Sequence, residues 1–154
     1  MDGSGRSGLP CVSKPLMSEP AITLSRELAM QLLKHAQTSP QARVCGLVLG
    51  TDAQAREIVH LRNQAESPEM RHAIDAQEFA RAVSSAQTRG LQPLAVYHSH
   101  PDSPPMPDDD DRAASPDSTL RLLVISLNIK GVLEMRAFTP AQDQLRETPV
   151  QIFL

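Results

Sequence analysis

The chain has 154 residues, 40% of them hydrophobic and 21% charged, with a formal net charge of −3. That is the balance of a globular domain with a core to bury, and it excludes a disordered chain and disfavours a general binder of phosphate backbones. With one Tyr, three Phe and no Trp, the core must be aliphatic, and a stacking surface for single-stranded nucleic acid is excluded.

The elements are taken in chain order. Residues 1–20 are rich in Gly, Ser and Pro without periodicity and read as a loose tail, leaving 21–154 as one domain. Ala21 to Leu24 predicts a short strand. Ser25 offers an N-cap to a helix over Arg26–Gln37, with Leu28, Leu32, Leu33 and Ala36 on one face, and Ser39-Pro40 breaks it. Val44–Gly50 is an apolar run suited to a buried strand, and Glu57–Leu61 predicts the next. A loop follows, with Ala73 and Ile74 as a further extended piece. Asp75 and Glu78 have the spacing of a capping box for a helix to about Ser85, with Phe79, Ala80 and Val83 facing inward. Pro93–His98, Leu120–Leu127, Val132–Phe138 and Leu145–Phe153 predict four more strands, with a turn at Asn128–Gly131. The expected architecture is mixed α/β (α+β), a mostly antiparallel sheet flanked by helices.

Charge and proline are concentrated in one place. Residues 101–117 hold six of the 18 acidic residues and one base, Arg112, together with Pro101, Pro104, Pro105 and Pro107; elsewhere 12 acids face 14 bases. The segment follows His98-Ser99-His100. At a strand end, residues i and i+2 point to the same face, so both imidazoles can reach one ion. The stiff loop can return a carboxylate to them, and Asp111 stands just before a predicted helical turn at residues 112–114. Two His and one Asp leave a fourth position open, the pattern of a catalytic rather than a structural zinc site. Alone, His-x-His is equally consistent with two unrelated histidines, and Asp108 to Asp111 with a solvated acidic face. The four aspartates lack the Gly and ligand spacing of a calcium-binding EF-hand loop.

His98-Ser99-His100-Pro101, with ten residues between His100 and Asp111, reproduces the H-x-H-x(10)-D signature of the JAMM, or MPN-type, zinc metallopeptidases. Cys45-Gly46-Leu47-Val48-Leu49-Gly50 resembles that family's Cys-Gly strand, Asn63 with Ser67-Pro68 resembles its Asn…Ser-Pro loop, and Asp75 to Phe79 sits where its second helix begins. The resemblance spans about residues 21–153 and is to the compact bacterial type. It implies a cytidine-deaminase-like JAMM/MPN fold, Zn2+ held by His98, His100 and Asp111, and hydrolysis of a peptide or isopeptide bond after the C-terminal Gly-Gly of a ubiquitin-like or sulfur-carrier protein. Apart from the resemblance, the negative net charge and the few aromatics argue against a nucleic-acid partner, and no apolar run reaches membrane-spanning length.

The resemblance breaks at two positions. The family's general-base Glu lies two residues before the Cys, where this chain has Arg43, which stays protonated and cannot serve. The family's oxyanion-assisting Ser lies three residues before the ligand Asp, where this chain has Asp108; a carboxylate there repels an oxyanion unless it is protonated or turned away. Asp102, Asp108, Glu19 and Glu57 are the substitute bases on offer. Arg43 reads either as a strand-edge residue facing solvent or as a carboxylate-binding group at the site. Two readings follow: a zinc hydrolase with an altered base, or a zinc-binding MPN-type domain of impaired catalysis that binds a ubiquitin-like tail or partner protein. His35 suits the C-terminal end of its helix as a cation. His60 and His72 read as ordinary surface or core histidines, and Cys45 as a small core residue. With Cys11 in the tail and Cys45 in a strand, no disulfide is expected, which fits a reducing, cytoplasmic setting.

Overall fold

The structure is a computed structural model, and it describes residues 21–142 and 144–154. Cys11, Glu19 and the predicted tail lie outside the described residues.

The elements in chain order are β1 (Ile22–Ser25), α1 (Arg26–Thr38), β2 (Cys45–Thr51), β3 (Gln54–Leu61), α2 (Ala76–Thr88), β4 (Gln92–His100), α3 (Asp109–Ala113), β5 (Arg121–Ser126), β6 (Glu134–Ala141), β7 (Gln144–Thr148) and β8 (Val150–Phe153). One eight-stranded sheet runs in the order β7-β6-β5-β4-β2-β3-β1-β8. The β2–β3, β2–β4, β5–β6 and β6–β7 pairs are antiparallel; β1–β3, β1–β8 and β4–β5 are parallel. The expected mixed, mostly antiparallel sheet with flanking helices is what is found.

Both long helices start where their caps predict. The Ser25 side chain accepts from the Leu28 N–H at 3.1 Å, and Asp75 accepts from the Glu78 N–H at 2.9 Å. Each cap satisfies a donor that the first helical turn leaves without a partner. The reciprocal half of the box at Asp75 is absent, since the Glu78 carboxylate accepts from the Arg62 N–H instead.

The helices cover opposite faces of the sheet. Under α1 lie Val48, Ala95, Tyr97, Leu123 and Ile125, with Leu28, Leu32 and Ala36 of the helix. Under α2 lie Leu47, Leu49, Val96 and Leu122, with Phe79, Ala82, Val83 and Ala86 of the helix. Neighbouring residues of β2 and β4 thus go to opposite faces, as strand geometry requires. Gly46 is obligatory on the α1 face: a Cβ there would run into the Val59 carbonyl oxygen and the Tyr97 ring.

The structure departs from the sequence reading at several points. Ala73 and Ile74 form no strand; the Ala73 N–H goes to Asn63 Oδ1 and its carbonyl accepts from the Gln64 N–H. Ala80 is exposed, and Ala82 and Ala86 take its place on the buried face of α2. The β2–β3 hairpin turns through Asp52 and Ala53, both at positive φ, without the glycine such turns favour. The single strand expected over Leu145–Phe153 is two, β7 and β8, parted by Pro149, which has no N–H to donate to a ladder. These two strands pair on opposite edges of the sheet, so the sheet curls until its edges are one residue apart.

Candidate metal centre

Along β4, His98 and His100 continue the face of Val96, the face that α2 covers. The strand reaches His100 rather than ending at His98, so both imidazoles are held on regular backbone. Cys45 pairs with His98, and the start of β2 is locked to this end by the Ser99 N–H to the Val44 carbonyl (3.0 Å) and the Val44 N–H to Ser99 Oγ (2.9 Å). Beyond Pro101 the loop is tied to β5. Ser126 Oγ donates to the Ser103 carbonyl, and the Leu127 N–H to that of His100.

The acidic segment then forms α3, which begins at Asp109 and not after Asp111. Asp108 is its N-cap. Its Oδ1 accepts from the Asp111 N–H at 2.8 Å, and Asp111 Oδ2 accepts from the Asp108 N–H at 3.1 Å, a reciprocal box with Asp in both roles. The Asp108 carboxylate is therefore turned onto the helix end, away from the oxyanion role that its position suggests. Asp102, Asp109 and Asp110 are exposed.

His98 Nε2, His100 Nε2 and Asp111 Oδ2 converge. The separations are 3.1 Å between the imidazoles, 3.0 Å from His100 to Asp111 and 3.3 Å from His98 to Asp111. A tetrahedral ion with bonds of about 2.0–2.1 Å separates its ligands by ~3.3–3.4 Å. The His100 Nδ1 lies 2.8 Å from the Pro104 carbonyl, which can only accept, so this nitrogen carries the proton. In the neutral ring Nε2 then presents a lone pair to the carboxylate oxygen. Acceptors facing one another in a buried space need a cation between them, and this donor set fits a divalent metal.

All three side chains are buried. Burial opposes ionisation of Asp111, but the contacts of its Oδ2 with the His100 and His98 rings and with the Asp108 N–H outweigh it and hold the carboxyl far below its ordinary range. Burial lowers His98, which keeps it neutral and able to ligate.

Two further groups stand at the cluster. Arg43 does not face solvent. Its Nη1 donates to Asp111 Oδ1 at 2.7 Å with the side chain only 11% exposed, and its Nε has no partner. The carboxylate is thus divided, with Oδ1 on the guanidinium and Oδ2 on the imidazoles. His72, read from sequence as an ordinary histidine, is a member of the site. It is buried, stacks on His98 at 4.3 Å and 15°, and has its Nδ1 3.8 Å from Asp111 Oδ1, with neither ring nitrogen hydrogen-bonded. Burial and the neighbouring His98 push it down to about 3, so it is neutral. His72, His98 and Asp111 are close enough to be considered as ligands together. The face-to-face stack argues for the other trio, because lone pairs in the planes of parallel rings run side by side instead of meeting at one point.

Asn63 places both newcomers. Its amide donates to the carbonyls of Arg43 and Arg71, each at 3.0 Å, and its carbonyl accepts from the N–H groups of Ala65 and Ala73, each at 3.0 Å. The Arg43 N–H donates to the Pro68 carbonyl at 2.8 Å. The Asn63 and Ser67-Pro68 loop thereby holds the backbone of residue 43 and both sides of residue 72.

Glu57 is not brought to the site. It pairs with Leu49, four residues along β2 from Cys45, and its carboxylate is on Arg89. Cys45 is an unpaired, buried thiol pushed up to about 12 by burial, as a core residue should be. His35 is no helix-end cation. Its Nδ1 is 2.8 Å from the Tyr97 hydroxyl, it stacks on His60 at 3.6 Å, and burial lowers it to about 4.

Comparison with known proteins bears on the family and the fold. Residues 25–140 match the family of prokaryotic homologs of the JAB domain. A desampylase of Haloferax volcanii is 29% identical over 102 residues, 62% of this chain and 73% of that protein. A desampylase of Pyrococcus furiosus is 26% identical over 103 residues, 67% and 72% respectively. A solution structure of a protein from Desulfitobacterium hafniense superposes with a TM-score of 0.75 at 27% identity, covering 84% of this chain and 91% of that one. A JAB1/MPN domain protein from Archaeoglobus fulgidus shares the fold, with a TM-score of 0.60 at 13% identity over 86% and 99%. With a family match over three-quarters of its length and His98, His100 and Asp111 gathered on one face of its sheet, the chain belongs to the prokaryotic JAB-domain family.

Proposed function

We propose that this chain is a zinc-dependent hydrolase of JAMM type acting on peptide or isopeptide bonds after the Gly-Gly end of a ubiquitin-like or sulfur-carrier protein, at a rate limited by the exchange at position 43. The observation that carries this reading is the convergence of His98 Nε2, His100 Nε2 and Asp111 Oδ2 within 3.3 Å of one another. The two desampylase relatives support the class of bond.

His98, His100 and Asp111 would hold the ion. Bound there, zinc supplies Lewis acidity toward a carbonyl oxygen and a water acidic enough to react near neutral pH. The Pro104 carbonyl holds His100 in the ligating tautomer, and Arg43 Nη1 and the Asp108 N–H fix the two oxygens of Asp111. Among the described residues no Glu side chain is hydrogen-bonded or ion-paired to these groups. Loss of a general base costs about 10²–10⁴-fold in rate.

The Arg43–Asp111 pair favours a second reading, a zinc-binding domain that holds a ubiquitin-like tail or partner without cutting it. One experiment separates them. Zinc per chain is counted by mass spectrometry, and cleavage of a Gly-Gly-linked ubiquitin-like conjugate is followed with and without chelator, for this chain and for Arg43→Glu. Stoichiometric zinc with slow, chelator-sensitive cleavage that Arg43→Glu accelerates about 100-fold or more is the expected result. Zinc without cleavage until Glu is restored would establish the binding reading, and absence of zinc would overturn both.

A further inference from the structure

We infer that Arg43 is a built-in competitor of the metal: it compensates Asp111 from within the protein, weakens zinc binding about 10- to 100-fold, and so makes occupancy of the site follow the free zinc concentration. The inference rests on the metal-centre reading above and concerns how tightly that centre holds its ion.

The two oxygens of Asp111 are used separately. Oδ2 lies 3.0 Å from His100 Nε2 and 3.3 Å from His98 Nε2, on the side where the ligand atoms converge. Oδ1 accepts from Arg43 Nη1 at 2.7 Å. A guanidinium stays charged throughout the pH range in which proteins fold. One carboxylate charge is therefore asked to serve two cations, the guanidinium on one oxygen and the ion on the other. The neighbouring aspartates do not make up the difference. The Asp108 carboxylate is turned onto the end of α3, Asp109 is exposed, and Asp110, 67% exposed, stands 3.7 Å from Arg71 at the surface. Among the described residues no other acidic side chain is hydrogen-bonded or ion-paired to the His98 or His100 ring.

Arg43 has nowhere else to go. Its side chain is only 11% exposed, and its Nε is buried without a partner. Its backbone is pinned on both sides, by its N–H on the Pro68 carbonyl and by the Asn63 amide on its own carbonyl. Leaving Oδ1 would strand a buried cation, so the pair persists when an ion binds on the other oxygen. Two cations then act across one carboxylate, out of reach of most screening by salt. An opposing effect exists, because a hydrogen bond that holds a ligand in place supports metal affinity by about 10- to 100-fold. Repulsion of a double charge by a fixed unit charge at close range outweighs that support, even at the effective dielectric of a partly wet site. The two effects predict opposite signs for the loss of Arg43, which makes them separable.

The test is zinc affinity by chelator competition at one pH and ionic strength, for the full chain and for Arg43→Gln, Arg43→Met and Arg43→Lys. Thermal melts of each chain verify that it is folded. The neutral variants Arg43→Gln and Arg43→Met should bind zinc about 10- to 100-fold more tightly than the chain itself, and Arg43→Lys, which keeps the charge, within about threefold of it. If Arg43 only held Asp111 in place, Arg43→Met would bind more weakly. Neutral variants that bind zinc no more tightly than the chain overturn the inference and leave the metal-centre reading standing. Arg43→Lys binding as tightly as Arg43→Gln also overturns it. Failure of all four folded chains to bind zinc overturns the metal-centre reading, and this inference with it.

Discussion

Arg43 and Asp111 meet at 2.7 Å with both side chains largely out of water. A buried pair of this kind adds little over an apolar pair, but removing one member strands the other, at a cost of about 3–5 kcal/mol. Arg43→Ala should therefore lower the unfolding free energy of the chelator-treated chain by about 3 kcal/mol in urea titrations. Added zinc should recover most of that loss, because the ion takes over the neutralisation of Asp111. A loss under 1 kcal/mol without zinc would mean that the carboxylate is not buried as described. The position of Arg43 was legible from its place before the Cys-Gly strand, but the direction of its side chain was not. That depends on Pro68 and Asn63, 20 to 25 residues away. His72 carried no local signal at all. Its membership comes from Asn63 gripping the residues on either side of it.

At the level of elements, α3 is the critical piece. It has five residues, far too few to be stable alone, and it exists through its cap and its tertiary contacts. Asp108 serves as the cap, and the same box orients the Asp111 carboxylate. Asp108→Ala should cost about 1 kcal/mol of stability. It should also weaken zinc binding about 10- to 100-fold, as loss of a ligand's supporting hydrogen bond does. Asp108→Ser should restore both, since a hydroxyl caps as well. Chelator competition measures the affinity, and equal affinities for the chain and the Ala variant would show that the box does not orient the ligand. The caps at Ser25 and Asp75 were readable because capping is local. The early start of α3 was hidden among four consecutive aspartates, any of which can begin a helix.

For the molecule as a whole, buried neutral histidines link stability to pH. His35 is lowered to about 4 and His72 to about 3 by burial, against an ordinary value of 6.5. Between pH 6.5 and about 4 the unfolded chain binds protons that the folded chain refuses, so stability falls as pH falls through that window and is fully present above it. The Tm of the chelator-treated chain should decline steadily below pH 6.5. His35→Gln, which can still hydrogen-bond the Tyr97 hydroxyl, should show a shallower decline. A slope unchanged by that substitution would remove His35 from the account. At this scale the sequence was least informative. Nothing local says that β7 and β8, parted by Pro149, end on opposite edges of one sheet.

By itself the sequence determined the caps, the apolar core strands, the aliphatic core and the His-x-His with a distant Asp, because each is a matter of spacing along a few residues or of composition. Only the tertiary structure decided which way Arg43 points, that His72 stands against His98, that Asp108 is spent on a helix end, and how the sheet curls. Each of these is set by partners far away in the chain, where a buried polar group must find its match. The acidic, proline-rich segment shows the division most clearly. Its composition marked it as unusual, but it took the fold to set one of its carboxylates against two imidazoles and a guanidinium.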